Sequence, residues 1–192
     1  MTFWNRRTTK LVVTLIAALV VTFLLPDGDP SPSTPVPTTP PAFTTSTITT
    51  NAFIIRAVDG DTIEVRLDGT QDAITVRLLG VNTPETVDPR RPVECFGKEA
   101  SAFTKAQTEG RRARLEDDPE ADEVDKYGRL LRNVIVDSGL DLNAALVREG
   151  YAYAYVSFPL TLERKAELMR LETEARAAKR GLWDPNTCPV PR

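Results

Sequence analysis

The sequence predicts an α+β domain built on a small β-barrel of about five strands, with helices inserted and appended. Three observations predict it. Short runs of alternating apolar and polar residues come early in the domain and are joined by tight turns. Segments of helical period follow them. An apolar leader and a stretch rich in Pro, Ser and Thr precede the first strand, and neither can supply a barrel core.

The leader covers residues 1–25. Its apolar run, Leu11 to Leu25 (LVVTLIAALVVTFLL), follows Arg6, Arg7 and Lys10. A positive flank before a short apolar run is the layout of a secretory signal. A spanning helix takes roughly 17–25 apolar residues, so the run is slightly short; yet no A-x-A-like site follows it. A cleaved signal peptide and a retained N-terminal membrane anchor both stay open. Either sends the remainder across the membrane, to be secreted or held at the outer face of the cytoplasmic membrane. Residues 26–50 are dominated by Pro, Ser and Thr and read as an extended linker. The folded domain is expected over residues 51–192.

Within it, Phe53–Val58 and Thr62–Leu67 alternate as half-buried strands. The turn Asp68-Gly69-Thr70 leads into a third strand, Ala73–Leu79; Asp-Gly between alternating runs is a hairpin signal. A loop rich in Pro and charge runs from Asn82 to about Glu94. Phe96–Thr108 has helical spacing. Arg112–Glu116 reads as a short strand and Leu130–Val136 as a stronger one. Asp141 caps a helix, Leu142–Arg148, that Gly150 ends. Tyr151–Val156 is a short aromatic strand or extended segment. Thr161–Lys179 is a long helix with Leu162, Ala166, Met169, Thr173 and Ala177 near one face, stopped by Gly181. A five-stranded OB-type barrel with three helices fits this order.

Composition narrows the chemistry. The chain of 192 residues contains no histidine. That excludes Ser-His-Asp and Cys-His catalysis and every nuclease that uses a histidine base. Hydrolysis would have to use carboxylates, Arg, Lys, Tyr and a hard cation held by oxygen. The two cysteines, Cys95 and Cys188, read as one disulfide in an exported domain, the alternative being two unpaired thiols. The net charge of −3 is not the basic footprint of a non-specific nucleic-acid binder. Much of the acidity is local, in residues 116–123 (EDDPEADE), which read as a solvated loop or, more sharply, as a second calcium site or a device against product rebinding. The case for a function must therefore come from local clusters.

Three clusters qualify. Asp59-Gly60-Asp61-Thr62 at a strand start reads as a plain turn or, functionally, as a carboxylate presented where the backbone bends sharply. Arg77 lies in an apolar strand, where it needs an anionic partner, a protein carboxylate or a phosphate; it leads into Asn82-Thr83-Pro84-Glu85, which Pro84 stiffens. Asp125-Lys126-Tyr127-Gly128-Arg129 reads as a charged hairpin entry or as a cation-rich phosphate clamp with a stacking ring beside a flexible Gly. Two arginines, oxygen ligands and a directed carboxylate are the parts phosphodiester hydrolysis needs.

DGDT at Asp59–Thr62, RLLGVNTPET at Arg77–Thr86, FGKEASAFTK at Phe96–Lys105, DKYGR at Asp125–Arg129 and NAALVREG at Asn143–Gly150 together resemble the staphylococcal nuclease family, over about Phe53 to Trp183. The resemblance implies an OB-fold barrel with three helices, one bound Ca2+ and cleavage of DNA and RNA to 3′-phosphate ends. It implies Arg77, Glu85 and Arg129 as catalytic residues, with Glu85 in the position usually assigned as general base. It implies Asp61, Asn82 and the carbonyl of Thr83 as metal ligands, and Lys126, Tyr127 and Tyr155 as substrate-binding residues. Two departures stand out: Asn82 replaces an aspartate of the metal loop, predicting weaker calcium binding, and Ser157 falls where a second base-pocket tyrosine would. Tyr151 and Tyr153 either compensate or belong to the core. The rival readings are a nucleic-acid-binding OB-fold module with weak or lost catalysis, and a tethered binder of wall glycans. A monomer is expected.

Overall fold

The structure is a computed structural model, and it describes residues 48–87, 89–90 and 92–188. The apolar run at 11–25 and most of the linker lie outside the described residues. No described helix is long and apolar enough to cross a membrane.

Five strands close a barrel in the order β1-β2-β3-β6-β5. They are β1 (Ala52–Asp59), β2 (Thr62–Leu67), β3 (Ala73–Leu78), β5 (Arg112–Glu116) and β6 (Leu130–Val136). All neighbours are antiparallel except β3 and β6, which run parallel with Val76 opposite Leu130. The start of β1, Ala52 and Phe53, pairs with both β2 and β5, and register shifts between Ile54 and Arg56 and between Ala57 and Asp59 bend the remainder of the strand along β2. The alternating pattern of the strands points Ile54, Ile63, Val65, Val76, Leu78, Val134 and Val136 inward, all fully buried. Each such side chain contributes about 1.5–3 kcal/mol. This is the α+β, five-stranded barrel with three helices that the sequence predicts.

The helices are α1 (Gly97–Thr108), α2 (Leu142–Arg148) and α3 (Leu162–Ala177). A short ribbon pairs β4 (Val81–Asn82) with β7 (Tyr153–Ala154), so only the middle of the expected segment 151–156 is strand. Asp141 caps α2 by accepting the Ala144 N–H at 2.9 Å. Asn143, fully buried, fastens α2 to the barrel: its Nδ2 donates to the carbonyls of Leu79 and Arg132, and its Oδ1 accepts from Val134 N.

The face expected for α3 is not the one it buries. Leu162, Ala166, Met169, Thr173 and Ala177 are exposed; the buried residues are Leu168, Leu171 and Ala175. Two contacts set this rotation. Gly80 has no side chain, and a Cβ there would meet Leu168 Cδ1 at 2.5 Å and Leu160 at 2.9 Å, so α3 presses Leu168 directly onto the end of β3. Arg164 makes a fork onto Asp141, 2.8 and 3.0 Å, and also reaches Glu167 at 2.7 Å. A helix with leucine on more than one side offers two readings of its period, and tertiary contacts choose between them.

The acidic stretch after β5 is not wholly a solvated loop. Asp118 is buried and accepts from Thr161 N, Thr161 Oγ1 and Glu120 N. One carboxylate of the run therefore fixes the start of α3, while Asp117, Glu120, Asp122 and Glu123 remain exposed.

Cys95 and Cys188 are disulfide-bonded. The bridge joins the residues just before α1 to the tail that follows the 3-10 turn Gly181–Trp183. Tyr151 lies within the fold, stacked on Phe103 at 4.4 Å and on Phe96 at 5.3 Å. Tyr153 is exposed instead, opposite Asn82 in the ribbon and edge-on to Trp183.

Candidate active site

The barrel gathers the three sequence clusters into one open cleft of about 650 Å³. The β2–β3 register sets the centre, placing Thr62 opposite Arg77, so that the Asp-Gly-Asp turn before β2 sits beside the end of β3.

Arg77 and Asp61 are both buried and paired, with Arg77 Nη2 3.1 Å from Asp61 Oδ2. The anionic partner that the sequence demands for Arg77 is thus a protein carboxylate. Arg77 Nη1 donates to the Leu78 carbonyl at 2.6 Å, and Nη2 lies 3.4 Å from Asn82 Oδ1. Asp61 Oδ2 also accepts the Thr83 N–H at 3.0 Å, which draws the 82–85 loop over the turn. That approach requires glycine at position 60, where a Cβ would fall 2.7 Å from the Thr83 side chain.

Sequence reading gives Asp59 no role of its own, although it is the first carboxylate of the turn. In the structure it lines the cleft, accepting from Gly60 N at 2.8 Å and from the Thr86 hydroxyl. Burial raises its carboxyl above the ordinary aspartate value; hydrogen bonds from Thr86 and Gly60 oppose the rise, and the charges of Asp61 and Glu85 add to it. Asp59, Asp61 and Glu85 therefore line the same cleft.

The opposite charge gathers beside them. Burial lowers the Arg77 guanidinium from its ordinary value, Asp61 opposes that, and the nearby charge of Arg129 lowers it further. Arg129 is held by Asp125 through two side-chain contacts, Nε to Oδ2 at 2.7 Å and Nη2 to Oδ2 at 2.6 Å, and its Nη1 reaches Thr62 Oγ1 at 3.4 Å. The Asp125 carboxylate also accepts from the N–H groups of Tyr127 and Arg129. The role of Asp125 as the anchor of Arg129 was legible only as a neighbour in the DKYGR motif. Tyr127 is 71% exposed, with Lys126 Nζ 5.0 Å and the Arg129 guanidinium 5.4 Å from its ring centroid.

Of the expected residues, Asp61, Arg77, Asn82, Thr83, Glu85, Tyr127 and Arg129 line this cleft. Lys126 and Tyr155 do not line it. Lys126 lies beside Tyr127, and Tyr155 is edge-on to Phe158 at 5.1 Å, tied to the barrel by its N–H on the Gly80 carbonyl. Arg90 also lines the cleft and was not foreseen; it lies in the charged loop, where sequence gives no direction to a side chain.

The cleft fits a hard cation. Its candidate ligands are oxygens alone: two aspartates, an amide, a hydroxyl and a glutamate, a set that suits Ca2+ or Mg2+ rather than zinc. Thr83 Oγ1 is buried and has no hydrogen-bond partner. No three acidic side chains among the described residues converge closely enough to enclose an ion by themselves. Backbone or amide oxygens and water would have to complete the shell.

The family described as "Staphylococcal nuclease homologue" matches residues 75–185, more than half the chain. This chain belongs to the staphylococcal nuclease family. The matched span holds Arg77, the 82–85 loop and Arg129, but begins after the Asp-Gly-Asp turn. Among curated members, a protein named Thermonuclease from Staphylococcus hyicus is 39% identical over 130 residues, 68% of this chain and 73% of that protein. The Thermonuclease of Staphylococcus intermedius is 40% identical over 129 residues, 67% of this chain and 73% of that protein. Endonuclease YncB of Bacillus subtilis is 42% identical over 135 residues, 69% of this chain and 61% of that relative.

Proposed function

We propose that this protein is an exported, calcium-dependent nuclease that hydrolyses phosphodiester bonds of DNA and RNA, leaving 3′-phosphate ends. The observation that carries the reading is one cleft in which two guanidiniums, Arg77 and Arg129, face the same space as the carboxylates of Asp59, Asp61 and Glu85. Arg77 and Arg129 each have a carboxylate partner, Asp61 and Asp125, yet the like charges within each group still oppose one another. A phosphate beside the arginines and a divalent cation beside the carboxylates satisfy both groups together. The names of the relatives, thermonuclease and endonuclease, support the same chemistry.

Each residue then has a defined task. Asp61, Asn82 and the Thr83 carbonyl hold the cation, which when bound neutralises phosphate charge. Arg77, fixed in direction by Asp61 and by its own strand, forks onto the scissile phosphate and meets the added negative charge of the pentacoordinate transition state. Arg129, aimed by Asp125, does so from the leaving-group side. Glu85 orients and deprotonates the attacking water. Lys126 and Tyr127 hold the terminal phosphate of a bound nucleotide, and Tyr155 lines the base pocket. The oxygen-only ligand set supports a hard cation, and the disulfide supports an oxidising compartment outside the cytoplasm.

Arg129→Ala tests the reading against a binding module of the same fold. A nuclease loses turnover by about 10²–10³-fold, as removal of one transition-state donor does elsewhere. A wild-type protein that binds single-stranded DNA without metal-dependent cutting would favour the module.

A further inference from the structure

Glu85 is held by more than the strand it follows. Its backbone N–H donates to Glu94 Oε2 at 3.0 Å, and the Glu94 N–H returns a bond to the Glu85 carbonyl at 2.9 Å. This reciprocal pair closes the neck of the charged loop on both sides. Within the loop, Glu85 Oε1 accepts from Thr86 N at 2.9 Å and Val87 N at 2.7 Å, so the direction of the carboxylate follows the backbone of the neck.

The far side of the neck is fastened in turn. Cys95, next to Glu94, is bonded to Cys188. Cys188 N and Thr187 N both donate to the Asp184 carbonyl, at 2.9 and 3.0 Å, which folds residues 184–188 into a compact turn. That turn follows Gly181, whose N-terminal neighbour Arg180 packs on Gly150, and Leu182 N donates to the Gly150 carbonyl. After Cys95, Phe96 adopts a left-handed backbone (φ 67°), and Gly97 presses α1 onto the loop: a Cβ there would meet Thr86 Cγ2 at 2.6 Å and the Pro84 carbonyl at 2.9 Å. A continuous set of contacts therefore runs from the C-terminal turn to the Glu85 backbone.

We propose that Glu94 and the Cys95–Cys188 disulfide form a brace that positions the Glu85 carboxylate for reaction. Glu94, Cys95 and Cys188 are positioning residues and do not touch substrate. The inference rests on the nuclease reading above and goes beyond it, because it ties turnover to a bond between the metal-loop side of the barrel and the end of the chain. A displacement of about 1 Å at a reacting group costs on the order of 100-fold in rate. Loosening the neck therefore lowers kcat rather than raising KM, since the groups that bind phosphate, Arg77 and Arg129, are anchored by other carboxylates.

The test measures kcat and KM on single-stranded DNA with calcium for Glu94→Ala, Glu94→Gln and the pair Cys95→Ser with Cys188→Ser. Each is made in the wild-type and in the Glu85→Gln background. The brace predicts that Glu94→Ala and the cysteine pair lower kcat about tenfold or more, with KM within twofold. Glu94→Gln keeps a side-chain oxygen for the Glu85 N–H and restores most of the rate. In the Glu85→Gln background neither change lowers the residual rate further. Amide exchange at Glu85–Val87 quickens in both brace variants, while exchange in α2 does not. Reduction of the folded wild type supplies the same comparison without a substitution. Unchanged kcat in the brace variants, or an equal loss in the Glu85→Gln background, would overturn the brace. A wild type that does not cut at all overturns the nuclease reading itself, a result distinct from a wild type whose brace variants cut equally well.

Discussion

Asp61 Oδ2 lies 3.1 Å from the Arg77 guanidinium and 3.0 Å from the Thr83 amide nitrogen, so one buried oxygen holds both Arg77 and the 82–85 loop. Removing it leaves a charge and an N–H without their partner. Asp61→Ala is therefore expected to cost about 3–5 kcal/mol of stability, the range for breaking a buried ion pair, and to abolish detectable cleavage. Urea unfolding of the variant measures the first. A loss under 1 kcal/mol would mean that Arg77 finds another partner.

Asn82 lines the cleft, and its Oδ1 sits 3.4 Å from Arg77 Nη2. Asn82→Asp adds a charged oxygen ligand. The apparent calcium affinity in a cleavage titration should rise about tenfold, at the expense of new repulsion among Asp59, Asp61 and Glu85 when no cation is present. An unchanged affinity would remove Asn82 from the ligand set.

Asp125 has its carboxyl below the ordinary aspartate value. Burial alone would raise it, and the Arg129 side chain with the N–H groups of Arg129 and Tyr127 outweighs that. A lowered value in the folded state stabilises the protein above the unfolded value near 3.8, and this contribution is lost as pH falls through the lower folded value. Asp125→Asn should be less stable than wild type at pH 7 by about 1–2 kcal/mol, with the gap narrowing toward pH 3. Turnover falls too, because Arg129 loses its anchor. A gap of equal size at both pH values would contradict this account.

Asp118 separates structure from catalysis. It is buried, and its carboxylate accepts from the N–H and hydroxyl of Thr161, the residue before α3. Asp118→Ala is expected to lower stability by about 2–3 kcal/mol and to leave kcat at 25 °C within twofold of wild type. A large fall in kcat from a still-folded variant would bring the acidic segment into the active site.

The barrel was legible because alternation and turn chemistry act over a few residues: Ile63 and Val65 on one side of β2, the Asp68-Gly69 turn, the Asp141 cap. The cleft was legible as three clusters, since Arg77 in an apolar strand already requires an anion nearby. What the sequence left open depends on contacts between distant residues. The face buried by α3 follows from the bare backbone of Gly80 and from the Arg164–Asp141 fork, neither visible in the helix period. Tyr151 and Tyr153, alike in sequence, part company because one meets Phe96 and Phe103 and the other stands across from Asn82. The burial of Asp118 within an acidic run, and the clasp between Glu85 and Glu94, likewise arise from pairings that local pattern does not encode.

Digestion of single-stranded DNA by the purified protein, with calcium and with a calcium chelator, tests the central claim most directly. Cutting is expected only with calcium, with products ending in 3′-phosphate, and Arg129→Ala should lose both. Binding of the DNA by folded, disulfide-bonded protein without cutting at any calcium concentration would contradict it.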